Sequence, residues 1–398
     1  MNPAFESLNA LPPDALLGLM TAYRADPRTD KFDLGVGVYK DDDGHTPIMS
    51  AVAKAEAIIL KQQTTKVYEG PRGNPDFCAA IERFVFGDSS HLIEKGRLIS
   101  MTTPGGCGAL YLGVGLMKRL GVKTVWLSRP TWPNHTNLVM NTGLAVAEYD
   151  YADAETGRVD FESLMASLSK TRRGDGIIIQ GPCHNPTGID LSVQQWIDLA
   201  MLTVERGIIP MLDIAYHGFA GGLESDMEGA RLFLKIAEDS MVSYSCSKNF
   251  GLYRERTGCF LGQAYTKRAA DAVMTHVADI SRTSYSMPPA HGAAIVATIL
   301  GDMALRAEWE AELTQMRERM ISLRKALSDA LVAKTGSNRL AALAEQNGMF
   351  SQIPVTPEAA KDMREKHGLY LPASGRINIA GLRQADIPRI ADIMSEYL

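Results

Sequence analysis

Lys248 stands in Ser243-Tyr244-Ser245-Cys246-Ser247-Lys248-Asn249-Phe250-Gly251, behind an apolar, β-prone run. Small hydroxyl residues ring it, and Arg254 and Arg256 follow closely. A surface lysine needs no such company. A lysine that carries a carbonyl cofactor as a Schiff base, beside a bound phosphate, does. Other polar residues also follow strand-like runs. Asn185 follows Gly176–Gln180, within Cys183-His184-Asn185-Pro186-Thr187-Gly188, and Asp213 and Tyr216 follow Ile208–Leu212. In a parallel α/β sheet the carboxyl ends of the strands share one crevice. Asn, Asp, Tyr and Lys therefore converge there although distant in sequence.

That set has a chemical logic. Pyridoxal 5'-phosphate provides the aldehyde a Schiff-base lysine needs, and its ring acts as an electron sink when a carbanion forms beside the imine. A protonated ring nitrogen strengthens the sink, and a buried carboxylate such as Asp213 would hold that proton. Tyr216 and Asn185 are placed to hydrogen-bond the ring's phenolic oxygen and lower the imine pKa. The freed Lys248 amine would shuttle a proton between substrate and cofactor carbons. The phosphate needs a cradle, and Thr103-Pro104-Gly105-Gly106-Cys107-Gly108-Ala109-Leu110 is a glycine-rich turn opening a helix. Its backbone N–H groups and dipole suit an anion, with Ser245, Ser247 and Arg256 completing the site.

Each residue alone has an ordinary reading. Glycine-rich turns are common, Asp213 suits a helix cap, Asn-Pro-Thr-Gly suits a turn, and Lys248 suits a solvated surface. Trp132 and His135 suit a core, and His217 and His291 a structural role. The ordinary readings must all hold at once to displace the chemical one. There is no HExxH and no carboxylate–histidine cluster at metal spacing, so no metal is expected.

The elements that must position these residues alternate. Strands are expected at Thr124–Leu127, Ala145–Tyr149, Gly176–Gln180, Ile208–Leu212, Met241–Ser245 and Gly258–Leu261. Helices are expected at Gly108–Leu120, Ser192–Arg206 and Pro289–Leu300, the last with proline in its first turn. The pattern predicts an α/β layer with a mostly parallel sheet flanked by helices. From about Leu305 it changes to a long amphipathic helix over Glu308–Leu331, then shorter elements including a strand at Arg376–Ile379. A smaller α+β domain is expected there, and Met1–Pro13 reads as an arm.

The chain's 398 residues suit one large and one small domain. A net charge of -5 with interspersed signs excludes a nucleic-acid stripe or a polybasic membrane helix. Attraction of an anionic substrate falls to local arginines. Five cysteines without CxxC fit a reducing compartment. The first basic residue is Arg24, and no apolar run approaches a membrane span. A cytoplasmic protein is expected.

Nearly end to end, the chain resembles the fold-type I, class I pyridoxal-phosphate aminotransferases of the aspartate/aromatic amino-acid subgroup. The matching stretches run from Leu34-Gly35-Val36-Gly37-Val38-Tyr39-Lys40 to Ser374-Gly375-Arg376-Ile377-Asn378-Ile379-Ala380-Gly381. Between them lie Thr131-Trp132-Pro133-Asn134-His135, the Asn185 loop, the Asp213 strand end, Ser247-Lys248-Asn249-Phe250-Gly251-Leu252-Tyr253 and Tyr285-Ser286-Met287-Pro288-Pro289. The resemblance implies that Lys248 is the Schiff-base lysine, Trp132 stacks on the ring, Asp213 meets its nitrogen and His135 stands behind Asp213. It implies that Arg376 binds the substrate α-carboxylate by a bidentate fork, Arg282 meets a distal carboxylate, and Gly37 lies on a segment closing over substrate. Tyr68 and Arg282 would come from a neighbouring subunit, making a homodimer with shared sites. The implied domains are an arm over 1–12, a small domain from 13–45 with 311–398, and a large domain over 46–310.

Departures from the family pattern are Cys107 for Thr or Ser, Pro182 for cysteine and His217 for glutamine. Val38, Lys40 and Thr46 match aspartate-preferring relatives. Val67, Cys107 and Met287 are less polar than those relatives' residues and match a rim that admits a ring if Arg282 swings outward. The expected reaction moves the amino group of aspartate or aromatic amino acids (tyrosine, phenylalanine, tryptophan) to 2-oxoglutarate by a ping-pong cycle, giving glutamate. The alternatives are strict aspartate specificity, a non-catalytic pyridoxal-phosphate-binding regulator, and a nucleotide-binding protein using the Gly105 loop. The regulator would need a DNA-binding segment, and the nucleotide binder a phosphate-loop motif that is absent.

Overall fold

A computed structural model describes residues 4–11, 15–87 and 91–398. Its strands are, in chain order, β1 (Phe32–Asp33), β2 (Leu98–Pro104), β3 (Thr124–Arg129), β4 (Ala145–Asp150), β5 (Gly176–Gln180), β6 (Ile209–Ile214), β7 (Ser240–Ser245), β8 (Thr257–Gln263), β9 (Phe350–Gln352), β10 (Leu369–Tyr370) and β11 (Arg376–Asn378). Seven of them form one sheet in the order β2-β8-β7-β6-β5-β3-β4. β8 runs antiparallel to β2 and β7, and the other neighbours are parallel. The expected α/β fold with a mostly parallel sheet is present.

Side chains alternate across a strand, and the core divides accordingly. Met211, Met241 and Phe260 pack with Leu110 and Met117 of the helix Gly105–Arg119 and with Ile280 of the helix Lys267–Ser284. Their neighbours Leu212, Val242 and Leu261 lie in the other cluster, with Leu199 of the helix Val193–Arg206 and Phe233 of the helix Leu223–Ile236. Helices thus cover both faces, which explains why β5, β7 and β8 are buried along their whole length.

Several boundaries differ from expectation. β2 was not anticipated; its run Leu98–Pro104 carries little alternation because it is buried over its five central residues. The helix expected from Gly108 starts at Gly105, and the helix expected from Pro289 starts at His291. Pro289 therefore precedes the first turn. β6 extends through Ile214, so Asp213 lies within the strand and not after it.

The smaller α+β part is built on the helix Met303–Thr335, which encloses the expected Glu308–Leu331 stretch. β1 pairs parallel with β10, and β9 pairs antiparallel with β11. Further backbone bonds, Asn378 N to Leu34 O (2.8 Å) and Lys40 N to Ala380 O (2.9 Å), lay residues 34–40 along the C-terminal segment. Trp309 of the long helix joins this part to the Lys248 loop. Its Nε1 donates to Asn249 O at 2.7 Å, and its ring stacks on Phe250 at 4.3 Å. Of the expected arm, residues 1–3 and 12 lie outside the described residues. Phe5, Leu8 and Leu11 are largely exposed.

Candidate active site

One cleft lies at the carboxyl ends of β5, β6 and β7. Its lining includes Gly37, Gly106, Cys107, Trp132, Asn185, Asp213, Tyr216, Ser245, Ser247, Lys248 and Arg256, all expected from the sequence. Strand parity explains the convergence. Asp213 shares a face with Met211, and it pairs in register with Gln180 and Ser243. That face looks onto the first turn of the helix Gly105–Arg119, where Ser243 Oγ donates to Gly106 O at 3.2 Å.

The glycine-rich turn meets Arg256 because β2 and β8 are antiparallel. Pro104, at the end of β2, pairs with Thr257, at the start of β8. Gly105 has φ +69°, and a Cβ there would lie 2.5 Å from Arg256 Nη2. A Cβ on Gly106 would lie 3.1 Å from Ser245 Cβ. Arg256 Nη1 donates to Ser247 Oγ at 3.4 Å, and Ser247 N donates to Ser245 Oγ at 3.3 Å. Helix N–H groups, two hydroxyls and a guanidinium thus surround a space suited to a phosphate. Cys107 is half-buried at its edge. Burial pushes its thiol pKa up, with Arg256 opposing.

Lys248 Nζ lies 5.2 Å from the centroid of the Tyr216 ring. Burial lowers the pKa of its ammonium; Asp213 opposes that shift and Arg256 adds to it. The shift is towards the free amine, the form that adds to an aldehyde. His135 stands behind Asp213, Nε2 to Oδ2 at 3.1 Å, as expected. The Trp132 ring meets His135 edge-on, with centroids 5.3 Å apart. Asn185 Nδ2 donates to Tyr216 Oη at 3.3 Å, and burial raises the Tyr216 pKa above its ordinary value.

Arg376 is buried beside this group. Nη2 donates to Gly35 O at 2.7 Å, Nη1 donates to Asn185 Oδ1 at 3.4 Å, and the guanidinium lies 4.2 Å from the Phe350 ring centroid. Among the described residues its buried Nε has no hydrogen-bond partner. Gly37 is pressed against Phe350, since a Cβ there would lie 2.7 Å from Phe350 Cζ.

Two expected residues lie elsewhere. Tyr68 is 83% exposed, and Arg282 is exposed and bonds Ser286 of its own chain. Neither lines the cleft of this chain. The sequence reading missed Gln180, Tyr253 and Phe350. Gln180 is the polar last residue of the apolar run Gly176–Gln180, so the strand-end argument that found Asn185 also applies to it. Tyr253 Oη accepts from Tyr39 N at 3.0 Å and ties the Lys248 loop to the segment around Gly37. Phe350 carried no local signal, being one apolar residue among many. Outside the cleft, Asp41, Asp43 and His45 bring three potential ligand atoms within 4.8 Å of one another on a solvent-facing loop.

The model of the family "Aminotransferase class I and II" matches residues 29–394. The aspartate aminotransferase of Salmonella typhi is 46% identical over 379 residues, 95% of this chain and 96% of that protein. The tyrosine aminotransferase of Rhizobium meliloti is 44% identical over 387 residues, 97% of this chain and 98% of that protein. Among solved structures, an aromatic-amino-acid aminotransferase from Burkholderia pseudomallei covalently bound to pyridoxal phosphate superposes with a TM-score of 0.96. It is 36% identical and covers 100% of this chain and 99% of that one. By sequence over nearly its whole length, and by fold, this chain belongs to the class I and II aminotransferase family.

Proposed function

We propose that this aminotransferase moves the amino group of aspartate and of aromatic amino acids to 2-oxoglutarate, in two half-reactions at one cleft. One observation carries the reading: a buried guanidinium, Arg376, stands beside the Asn185–Tyr216–Lys248–Asp213 group, its Nε unpartnered among the described residues. A buried cation without a carboxylate partner is costly, and the α-carboxylate of an amino or 2-oxo acid would relieve that cost.

Pyridoxal phosphate is the cofactor, and the residues fit it. A side chain at Gly105 would press on the Arg256 guanidinium and one at Gly106 would crowd Ser245, while Ser245, Ser247 and Arg256 supply donors. Lys248 would hold the aldehyde carbon, Asp213 the ring nitrogen, and Asn185 and Tyr216 the phenolic oxygen, with Trp132 against the ring face. When bound, the cofactor supplies an electron sink for the substrate's α-carbon. Lys248 Nζ would carry the proton from the substrate α-carbon to the cofactor carbon, and back the other way in the second half-reaction. Asp213, backed by His135, keeps a proton on the ring nitrogen. Arg376 and Asn185 fix the substrate α-carboxylate and so its orientation.

Tyr68 and Arg282 complete the cleft of a second copy in a homodimer. Their exposure in the single chain supports this reading. Arg282 then meets the distal carboxylate of aspartate or glutamate, and the apolar Val67, Cys107 and Met287 admit an aromatic ring. The small domain is residues 13–45 with 311–398 and the large domain 46–310; the β1–β10 pairing supports that division. No helix among the described residues is long and apolar enough to cross a membrane. Free cysteines accord with a cytoplasmic setting.

Single half-reactions with aspartate, tyrosine, phenylalanine and tryptophan, followed by the cofactor's visible absorbance, test the reading. Conversion by aspartate and by at least one aromatic amino acid is expected. Conversion by aspartate alone would establish the strict alternative. A protein that binds pyridoxal phosphate but converts none of them would overturn it in favour of a regulator.

A further inference from the structure

We infer that Gln180 is a positioning residue whose side-chain amide clamps the backbone of Asn185 and, by donating to Thr131, leaves the Thr131 hydrogen for His135 Nδ1 behind Asp213. Gln180 is buried at the end of β5, in register with Asp213. Its Oε1 accepts from Asn185 N at 3.0 Å, and its Nε2 donates to Asn185 O at 2.9 Å. The backbone N–H can only donate, so it decides which end of the amide is oxygen. The second Nε2 hydrogen then points at Thr131 Oγ1, 3.4 Å away.

The remaining polarity follows by elimination. Thr131 Oγ1 and His135 Nδ1 are 2.8 Å apart, and His135 Nε2 and Asp213 Oδ2 are 3.1 Å apart. An ionised carboxylate only accepts, so Nε2 carries hydrogen. In the neutral ring Nδ1 is then an acceptor, and Thr131 must donate its single hydrogen to it. Thr131 has one hydrogen and spare lone pairs, and Gln180 Nε2 fills one of them. One chain of hydrogen bonds thus runs from Gln180 through Thr131 and His135 to Asp213, while the same amide grips the backbone of Asn185. Of the other groups against His135, the Trp132 ring is uncharged. Nearby His184 is held neutral by burial, which pushes its pKa down to about 3.

A glutamine suits this post because it offers a donor and an acceptor whatever the pH. A carboxylate there offers acceptors only. Thr131 would then turn its hydrogen towards the carboxylate, leaving the Nδ1 lone pair without a donor. A methionine offers neither group, so Thr131 keeps its bond to Nδ1 while Asn185 loses its clamp.

Histidine-selective ¹⁵N NMR of the holoenzyme tests this, with the His135 signal assigned by its loss in His135→Asn. In the wild type, Nε2 should bear hydrogen and Nδ1 should be bare. In Gln180→Glu at alkaline pH, where the introduced carboxyl is ionised, the Nδ1 signal should shift as it loses the Thr131 hydrogen. In Gln180→Met the tautomer should persist, while KM for 2-oxoglutarate rises roughly tenfold with kcat changed less. A protonated Nδ1 in the wild type, an unshifted signal in Gln180→Glu, or an unchanged KM in Gln180→Met would each overturn the inference. The kinetic arm rests on the function proposed above; the NMR arm does not, so its result stands even if other amino acids prove to be the substrates.

Discussion

Gly105 and Arg256 stand so close that a methyl group on the glycine would lie 2.5 Å from the guanidinium Nη2. They are distant in sequence, and the antiparallel pairing of Pro104 with Thr257 brings them together. Gly105→Ala would add strain at φ +69° and push Arg256 out of the anion space. Left-handed backbone costs a non-glycine residue about 1–2 kcal/mol, and the lost guanidinium contact adds to this. Pyridoxal phosphate affinity, titrated into apoenzyme, should fall on the order of 100-fold. Unchanged affinity would count against the phosphate cradle.

Cys107 occupies the same turn with a weak donor. Cys107→Ser keeps the size and offers a hydroxyl hydrogen to the phosphate. A neutral hydrogen bond contributes about 1 kcal/mol net, so cofactor affinity should rise roughly threefold to tenfold in the same titration. A weaker complex would show that the thiol is not a deficit.

Arg282 lies outside this chain's cleft, which makes its assigned role a test of both specificity and assembly. Arg282→Leu should reduce kcat/KM for aspartate on the order of 100-fold, the scale of a lost charged hydrogen-bond pair. Tyrosine should lose far less. Mixing Arg282→Leu with Lys248→Ala chains should restore dicarboxylate turnover in hybrid dimers, since one of their two sites would hold both intact residues. Equal losses for both substrates, or no rescue, would contradict the role.

Two buried groups next to Asn185 oppose each other in acid. His184 is pushed down to about 3 from an ordinary 6.5, mainly by burial, with His135 contributing. Between those values the unfolded chain binds a proton that the native chain refuses. Stability is therefore lost as pH falls through that window, by about 1.4 kcal/mol per unit. Asp190 is raised to about 6 from 3.8 by burial, against hydrogen bonds from Cys183 N, His184 N and Asn347. There the native chain holds the extra proton, so stability rises on acidification from about 6 to 4. The two slopes nearly cancel. His184→Gln should expose the Asp190 slope, so urea midpoints at pH 6, 5 and 4 should climb relative to wild type. Parallel pH profiles would refute the assignment.

Much of this site was legible in local runs. Lys248, Asn185 and Tyr216 each follow a strand, and strand ends share one crevice in a mostly parallel sheet. The boundaries were less legible, because burial and register decide where a strand stops. β6 runs on through Asp213, which local pattern did not show, and β2 is buried and lacks alternation.

The chain's residue types and order determined the chemistry: a lysine for an aldehyde, a carboxylate for a ring nitrogen, glycines for a phosphate. Side-chain chemistry is local, so it survives reading without coordinates. Tertiary structure alone decided the partnerships. The antiparallel β8 sets Arg256 against Gly105, the register of β5 on β6 sets Gln180 beside Asp213, and the β1–β10 pairing carries Gly35 and Gly37 to Arg376 and Phe350. Each of these depends on which distant strands pair and in what register, and backbone hydrogen bonding alone carries no mark of that in a local stretch of sequence.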